Sequence, residues 1–229
     1  MSFFQTLQDA TQEQRETLFN LPIIRQAMAG QVSLESYRAF LTQAYYHVRH
    51  TVPLMMACGA RLPSRTEWLR AAVCEYIEDE YGHEKWVLND LRACGGQADA
   101  VENGQPGAPV ELMVAYLYDL IARGNPVGLF GMVNVLEGTS IALATHAADS
   151  MRKGLGLGPE AFSYLSSHGS LDIGHMETFR KLMDKVDDPD DQQAVIHASR
   201  MVYRLYTEMF RELPGAALTV HKGSDHAAA

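Results

Sequence analysis

Apolar residues recur at helical spacing along almost the whole chain, and no run alternates apolar with polar residues between hairpin turns, so the pattern predicts an all-α fold. Residues 2 to 20 read as a first helix. Pro22 starts a short second one that stops at Gly30, and Ser33 caps a third reaching about Leu62, which Pro53 should kink. Ser64 caps a fourth that runs to the Cys94-Gly95-Gly96 stop, and residues 97 to 109, with their Gly and Pro, read as the longest loop. A fifth helix covers 110 to 123. After Asn125-Pro126 the sixth, 127 to 148, is apolar nearly all round, the mark of a central, buried element. The seventh begins near Pro159 and ends near Val186, and the eighth follows Pro189 and stops before Pro214. The expectation is one domain over 1–214 with seven or eight helices. Residues 215–229, with His221 and His226, are expected to form a disordered tail.

Composition adds bounds. A chain of 229 residues with 47% hydrophobic content can fill one core, and no compositional break asks for a second. The net charge of −9 argues against nucleic acid and anionic membrane surfaces as partners, since both reward clustered Lys and Arg. Cys58, Cys74 and Cys94 are widely spaced and make neither a disulfide framework nor a CxxC metal site. The amino terminus has no basic segment leading into an apolar one, and no run of about 18 apolar residues occurs, so the chain is expected to be cytoplasmic.

Against this background one short string carries chemistry. His168, Asp172 and His175 are spaced four and three apart, which at about 100° per residue puts them within roughly 60° of one another on a helix. Two imidazoles and a carboxylate on one face suit iron, zinc or manganese. A solvent-facing polar stripe would look the same, so the question is what other helices supply. Glu80 and His83 form Glu-x-x-His, the pair that di-iron carboxylate bundles project inward, although Glu78, Asp79 and Glu84 beside them also fit a solvated acidic face. Glu137 lies in the apolar sixth helix, where an unpaired carboxylate is costly and needs a cation, a proton or a Tyr or Ser partner. His47 and His50 sit beside Tyr45 and Tyr46; His47 is a tentative further ligand, and histidines among aromatics also serve as core residues. Met55, Met56, Met132 and Met176 fit an apolar pocket or plain core filling. Together His47, Glu80, His83, Glu137, His168, Asp172 and His175 would suffice for two metal ions with open positions.

With those residues named, the chain resembles the haem-oxygenase-like di-iron oxidases and oxygenases, within the superfamily that includes TenA-type thiaminase II and PqqC. The resemblance runs from FLTQAYYHV through EDEYGHE and VLEGTS to SHGSLDIGH. It implies a haem-oxygenase-like helical bundle with metal ligands Glu80, His83, Glu137, His168, Asp172 and His175. It further implies two iron ions, O2 and a small amino-acid- or fatty-acid-like substrate, held near Tyr45 and Tyr46, in a homodimer without haem. Relatives usually add a carboxylate where this chain has His47, which leaves the second iron position open. Thiaminase chemistry is not implied, because the central helix lacks Cys and Ala44 stands where those enzymes carry Asp; haem oxygenases use a histidine near the amino terminus, and the first here is His47. A self-processing relative makes p-aminobenzoate from its own tyrosine, and Tyr45, Tyr46 and Tyr81 stand near the metal residues. The alternative is a metal-free member acting in thiamine, pyrroloquinoline quinone or p-aminobenzoate metabolism, or binding a small molecule in regulation.

Overall fold

A computed structural model describes residues 1–216 except the side chains of 170–173, so Asp172, His221 and His226 lie outside the described residues. The described residues form twelve α-helices and three short 3-10 turns with no strand. The helices are α1 (Phe3–Ala10), α2 (Gln12–Phe19), α3 (Pro22–Met28), α4 (Leu34–Val48), α5 (Thr51–Arg61) and α6 (Glu67–Glu80). They continue with α7 (His83–Ala93), α8 (Ala98–Glu102), α9 (Ala108–Arg123), α10 (Phe130–Leu155), α11 (Ser163–Met183) and α12 (Pro189–Arg211). This is the expected all-α fold, with more helices than the seven or eight read from the sequence.

The surplus comes from breaks inside three expected helices and from α8, which occupies the expected loop. The first breaks at Thr11, whose buried hydroxyl donates to the Leu7 carbonyl at 2.8 Å. The third is cut at Arg49-His50, four residues before Pro53. Proline has no N–H to offer the Arg49 carbonyl and its ring collides with that carbonyl, so the chain restarts as α5. The fourth breaks at Tyr81-Gly82, where Tyr81 is extended (φ −66°, ψ 116°) and Gly82 takes φ +93°. Only glycine adopts that left-handed conformation without steric cost.

Ser33 caps as expected, its Oγ accepting from the Ser36 amide at 3.0 Å, and proline opens α3 and α12. Ser64, expected to cap the fourth helix, instead opens a 3-10 turn before α6 and makes no side-chain cap bond, and Asp188 caps α12 by accepting from the Asp190 amide at 2.9 Å. The central helix is α10, which packs against α11, α12 and α3. Residues 126–155 are long and apolar enough to cross a membrane, but 67% of their most apolar window is buried against the other helices, as in a core helix. Helix α11 approaches α10 closely because residue 169 has no side chain: a Cβ on Gly169 would lie 2.1 Å from Thr145 Oγ1. Asp90, fully buried on α7, fixes the start of α11 by accepting from the Ser163 and Tyr164 amides at 3.0 and 2.8 Å and from the Ser163 hydroxyl. These contacts set the height and azimuth of the helix that carries His168 and His175.

Candidate metal centre

Glu80 closes α6 and His83 opens α7, so the Glu-x-x-His pair straddles a break instead of lying on one helical face. The kink at Gly82 still turns them together: His83 Nδ1 is 3.1 Å from Glu80 Oε2. Both are buried, at 8% and 5% exposure. His168 joins from α11, its Nε2 3.2 Å from His83 Nδ1 and 3.9 Å from Glu80 Oε2. The other nitrogen of His168 sits 3.0 Å from the Tyr164 carbonyl, which can only accept. Nδ1 therefore carries the proton and the Nε2 lone pair faces the cluster. His83 stacks on Trp86, with centroids 3.9 Å apart and planes at 24°, which fixes its ring plane.

A second group forms around the same carboxylate. Glu137, 8% exposed on α10, has Oε1 3.7 Å from His175 Nδ1, and His175 turns Nε2 toward Asp79 Oδ2 at 3.3 Å. Glu80, His83 and His168 thus form one donor triad and Glu80, Glu137 and His175 another, the ligand atoms in each lying within 4.8 Å of one another. Glu80 belongs to both. Burial opposes ionisation of Glu80, but the imidazoles of His168 and His83 beside it outweigh that and hold its carboxyl down at about 2. Imidazole with ionised carboxylate, three donors to a group and largely sheltered from water, is the donor chemistry of a divalent first-row metal such as iron. The residues fit an iron site.

Beside the centre lies a cavity of about 140 Å³ whose lining includes Glu80, Glu137 and His168. Its walls come from α3, α4, α5, α10, α11 and α12, and along α10 the lining runs from Met132 to Met151. Nineteen helical steps span about 28 Å, so the cavity follows most of that helix. Most of the lining is apolar, and among the described residues no Lys or Arg takes part.

Residues 38–207 match the family described as iron-containing redox enzyme. The chain belongs to that family. No curated protein matches it. Solved structures share the fold of this iron-containing redox enzyme family member. A domain with a haem oxygenase-like fold from Shewanella denitrificans superposes with a TM-score of 0.80 at 21% identity, covering 92% of this chain and 90% of its own. A TenA homologue from Pseudomonas syringae pv. tomato gives 0.78 at 11% identity, with 91% of each chain covered. Haem oxygenase-1 from Synechocystis, solved with haem, gives 0.73 at 13% identity over 94% of this chain and 93% of its own. At these identities the likeness is one of fold, and the haem-oxygenase-like bundle expected from the sequence is the fold of this family member.

Of the seven residues expected to hold metal, five converge in the two triads. Asp172 lies outside the described residues, and His47 stands apart from both triads. His47 lines the cavity at 6% exposure, and neither ring nitrogen has a hydrogen-bond partner among the described residues. Burial, reinforced by His168 and His50, pulls its pKa down to about 3, so the ring is neutral. His50 instead pairs with the Tyr118 hydroxyl at 3.2 Å. Tyr45 and Tyr46, expected near substrate, are not part of the cavity wall and pack beneath Arg49, whose guanidinium is 5.7 and 5.5 Å from their ring centroids. The tyrosines that line the cavity are Tyr37, Tyr164 and Tyr206. Tyr81 is 73% exposed. Met55 and Met132 line the cavity, whereas Met56 is exposed.

Three contributors escape sequence reasoning. Asp79 reads as part of an acidic face yet orients His175. Asp90 is an interhelical anchor; its place seven residues after His83, on the same face, is the available signal. Trp86, three residues after His83, follows from the same periodicity.

Proposed function

We propose that this chain is an O2-dependent non-haem di-iron oxidase or oxygenase acting on a small, largely aliphatic organic molecule. The observation that carries the reading is the double membership of Glu80, whose carboxylate sits in both triads as a ligand shared by two ions would. Glu80, His83 and His168 would hold one iron and Glu80, Glu137 and His175 the other, with Asp172 expected to complete the set. Bound iron there supplies the binding and reduction of O2.

The chain's own groups have definable parts. The Tyr164 carbonyl keeps the His168 proton on Nδ1, and Asp79 takes the Nε2 side of His175, so each ring is turned with its other nitrogen toward the centre. The largely apolar cavity excludes water and lays the substrate against Glu80, Glu137 and His168, which share its wall. An aliphatic substrate is favoured over an amino acid, because no basic side chain among the described residues lines the cavity to receive a free carboxylate.

The test is oxygen uptake by anaerobically iron-loaded protein, followed with an oxygen electrode while medium-chain aliphatic alcohols, aldehydes and amides are added. The proposal expects substrate-dependent uptake that Glu137→Ala abolishes. Uptake that is the same with and without every compound, or the same in the variant, would refute it.

A further inference from the structure

His47 is the buried polar group that the metal centre does not use. Buried polar atoms nearly always find a partner in the protein. His50, one turn further along the chain, has found Tyr118, and His168 has found the Tyr164 carbonyl. Neither nitrogen of His47 has done so, although the ring is as buried as the core around it. The tip of α4 directs it at the cavity, with the Tyr206 ring edge-on at 5.8 Å. On α10 the hydroxyls of Thr139 and Ser140 also line the cavity, and they too are buried without a hydrogen-bond partner among the described residues. Three unpartnered polar side chains therefore lie in the lining of a largely apolar space, two of them within three residues of Glu137.

We propose that His47, Thr139 and Ser140 form a subsite for an uncharged hydrogen-bonding group on an aliphatic ligand, a hydroxyl, carbonyl or amide. A neutral imidazole offers one donor and one acceptor, and each hydroxyl offers both, which suits a group that itself donates and accepts. A charged group is a poor match, because among the described residues no Lys or Arg lines the cavity to balance an anion. An unsatisfied polar wall also discriminates: it rejects a hydrocarbon of equal shape, since that would leave the wall's own groups buried and unpaired. His47 is thereby a specificity residue and not a metal ligand. The inference deepens the proposed function by stating what the substrate carries besides its alkyl frame, and rests on the cavity being the substrate site.

The test uses metal-free full-length protein, so its outcome does not depend on whether iron binds. Calorimetric titration with 1-hexanol and with n-hexane is compared between wild type, His47→Phe, His47→Gln and Ser140→Ala, and iron content after reconstitution is measured in parallel. The expected result is that His47→Phe weakens 1-hexanol by about tenfold, the size of one lost hydrogen bond. Hexane should bind this variant at least as well as wild type, and all variants should keep wild-type iron content. His47→Gln, which restores a donor and an acceptor, should recover most of the loss, and Ser140→Ala should weaken 1-hexanol severalfold even if His47→Phe fails to fold. The proposal is overturned if 1-hexanol does not bind wild type, if its affinity ignores the His47 and Ser140 changes, or if His47→Gln loses iron while keeping 1-hexanol.

Discussion

Glu80 and His83 meet at 3.1 Å although they belong to different helices, and the residue that turns the chain between them is Gly82 at φ +93°. A motif that reads as one turn of helix is in fact a helix end followed by a helix start. The consequence is that both residues sit where backbone geometry, and not helical periodicity, sets the ligand separation.

Gly82→Ala isolates that effect. A Cβ there meets nothing within 4 Å, so packing does not oppose the change and only the left-handed backbone does. The variant should lose about 1–2 kcal/mol of stability, measured by urea unfolding. Its iron affinity should fall more than that of an alanine variant at an exposed helical position such as Glu75. Unchanged stability would mean that the break relaxes into continuous helix without cost.

Asp90 anchors the helix carrying two of the expected ligands. Asp90→Ala strands the Ser163 and Tyr164 amides in a buried setting and should cost about 2 kcal/mol, with Asp90→Asn costing less because it keeps one acceptor. Both variants should weaken iron binding through His168, read from quenching of Trp86, whose ring stacks on His83.

Gly169→Ala should overpack the crossing of α10 and α11 and cost about 1–3 kcal/mol. Because the nearest atom is the Thr145 hydroxyl oxygen, the double variant with Thr145→Ala should recover part of the loss. Additive losses in a double-mutant cycle would show that the two positions do not meet.

Away from the centre, Asp191 is 2% exposed and accepts from Arg65 Nη2 at 3.0 Å and Asn125 Nδ2 at 2.7 Å. Burial pushes its pKa up, but the bonds from Arg65 and Asn125 prevail and leave it below the ordinary value of 3.8. A carboxyl depressed on folding stabilises above its unfolded pKa and loses that contribution as pH falls through the folded one. Stability should therefore drop below about pH 4 by more in wild type than in Asp191→Asn, which starts lower by about 1–3 kcal/mol. Urea midpoints at pH 7 and pH 3 decide it.

Much of this molecule is legible in its sequence. Pro22, Ser33, Pro126, Pro189 and Gly30 mark helix ends because their chemistry is local, and the apolar run after Asn125 marks the core helix. The convergence of Glu80, His83, Glu137, His168 and His175 follows from residue type once several helices are weighed together. The breaks at Thr11 and Tyr81-Gly82 are less legible, since a buried Thr hydroxyl or a single Gly interrupts a helix only when tertiary packing rewards it. The role of Asp90 is less legible for the same reason: the Ser163 and Tyr164 amides it accepts from are reached only once α11 is placed. His47 shows the complementary limit, because residue type suggests a ligand and only the fold separates it from the two triads.

The most direct measurement of the account is iron stoichiometry with Mössbauer spectroscopy, on wild type and Glu80→Ala reconstituted anaerobically with ferrous iron. A carboxylate shared by both triads predicts about two irons per wild-type chain and loss of both positions in the variant, with helical content kept. Wild type holding well under one equivalent, or Glu80→Ala losing only one of two irons, would contradict it.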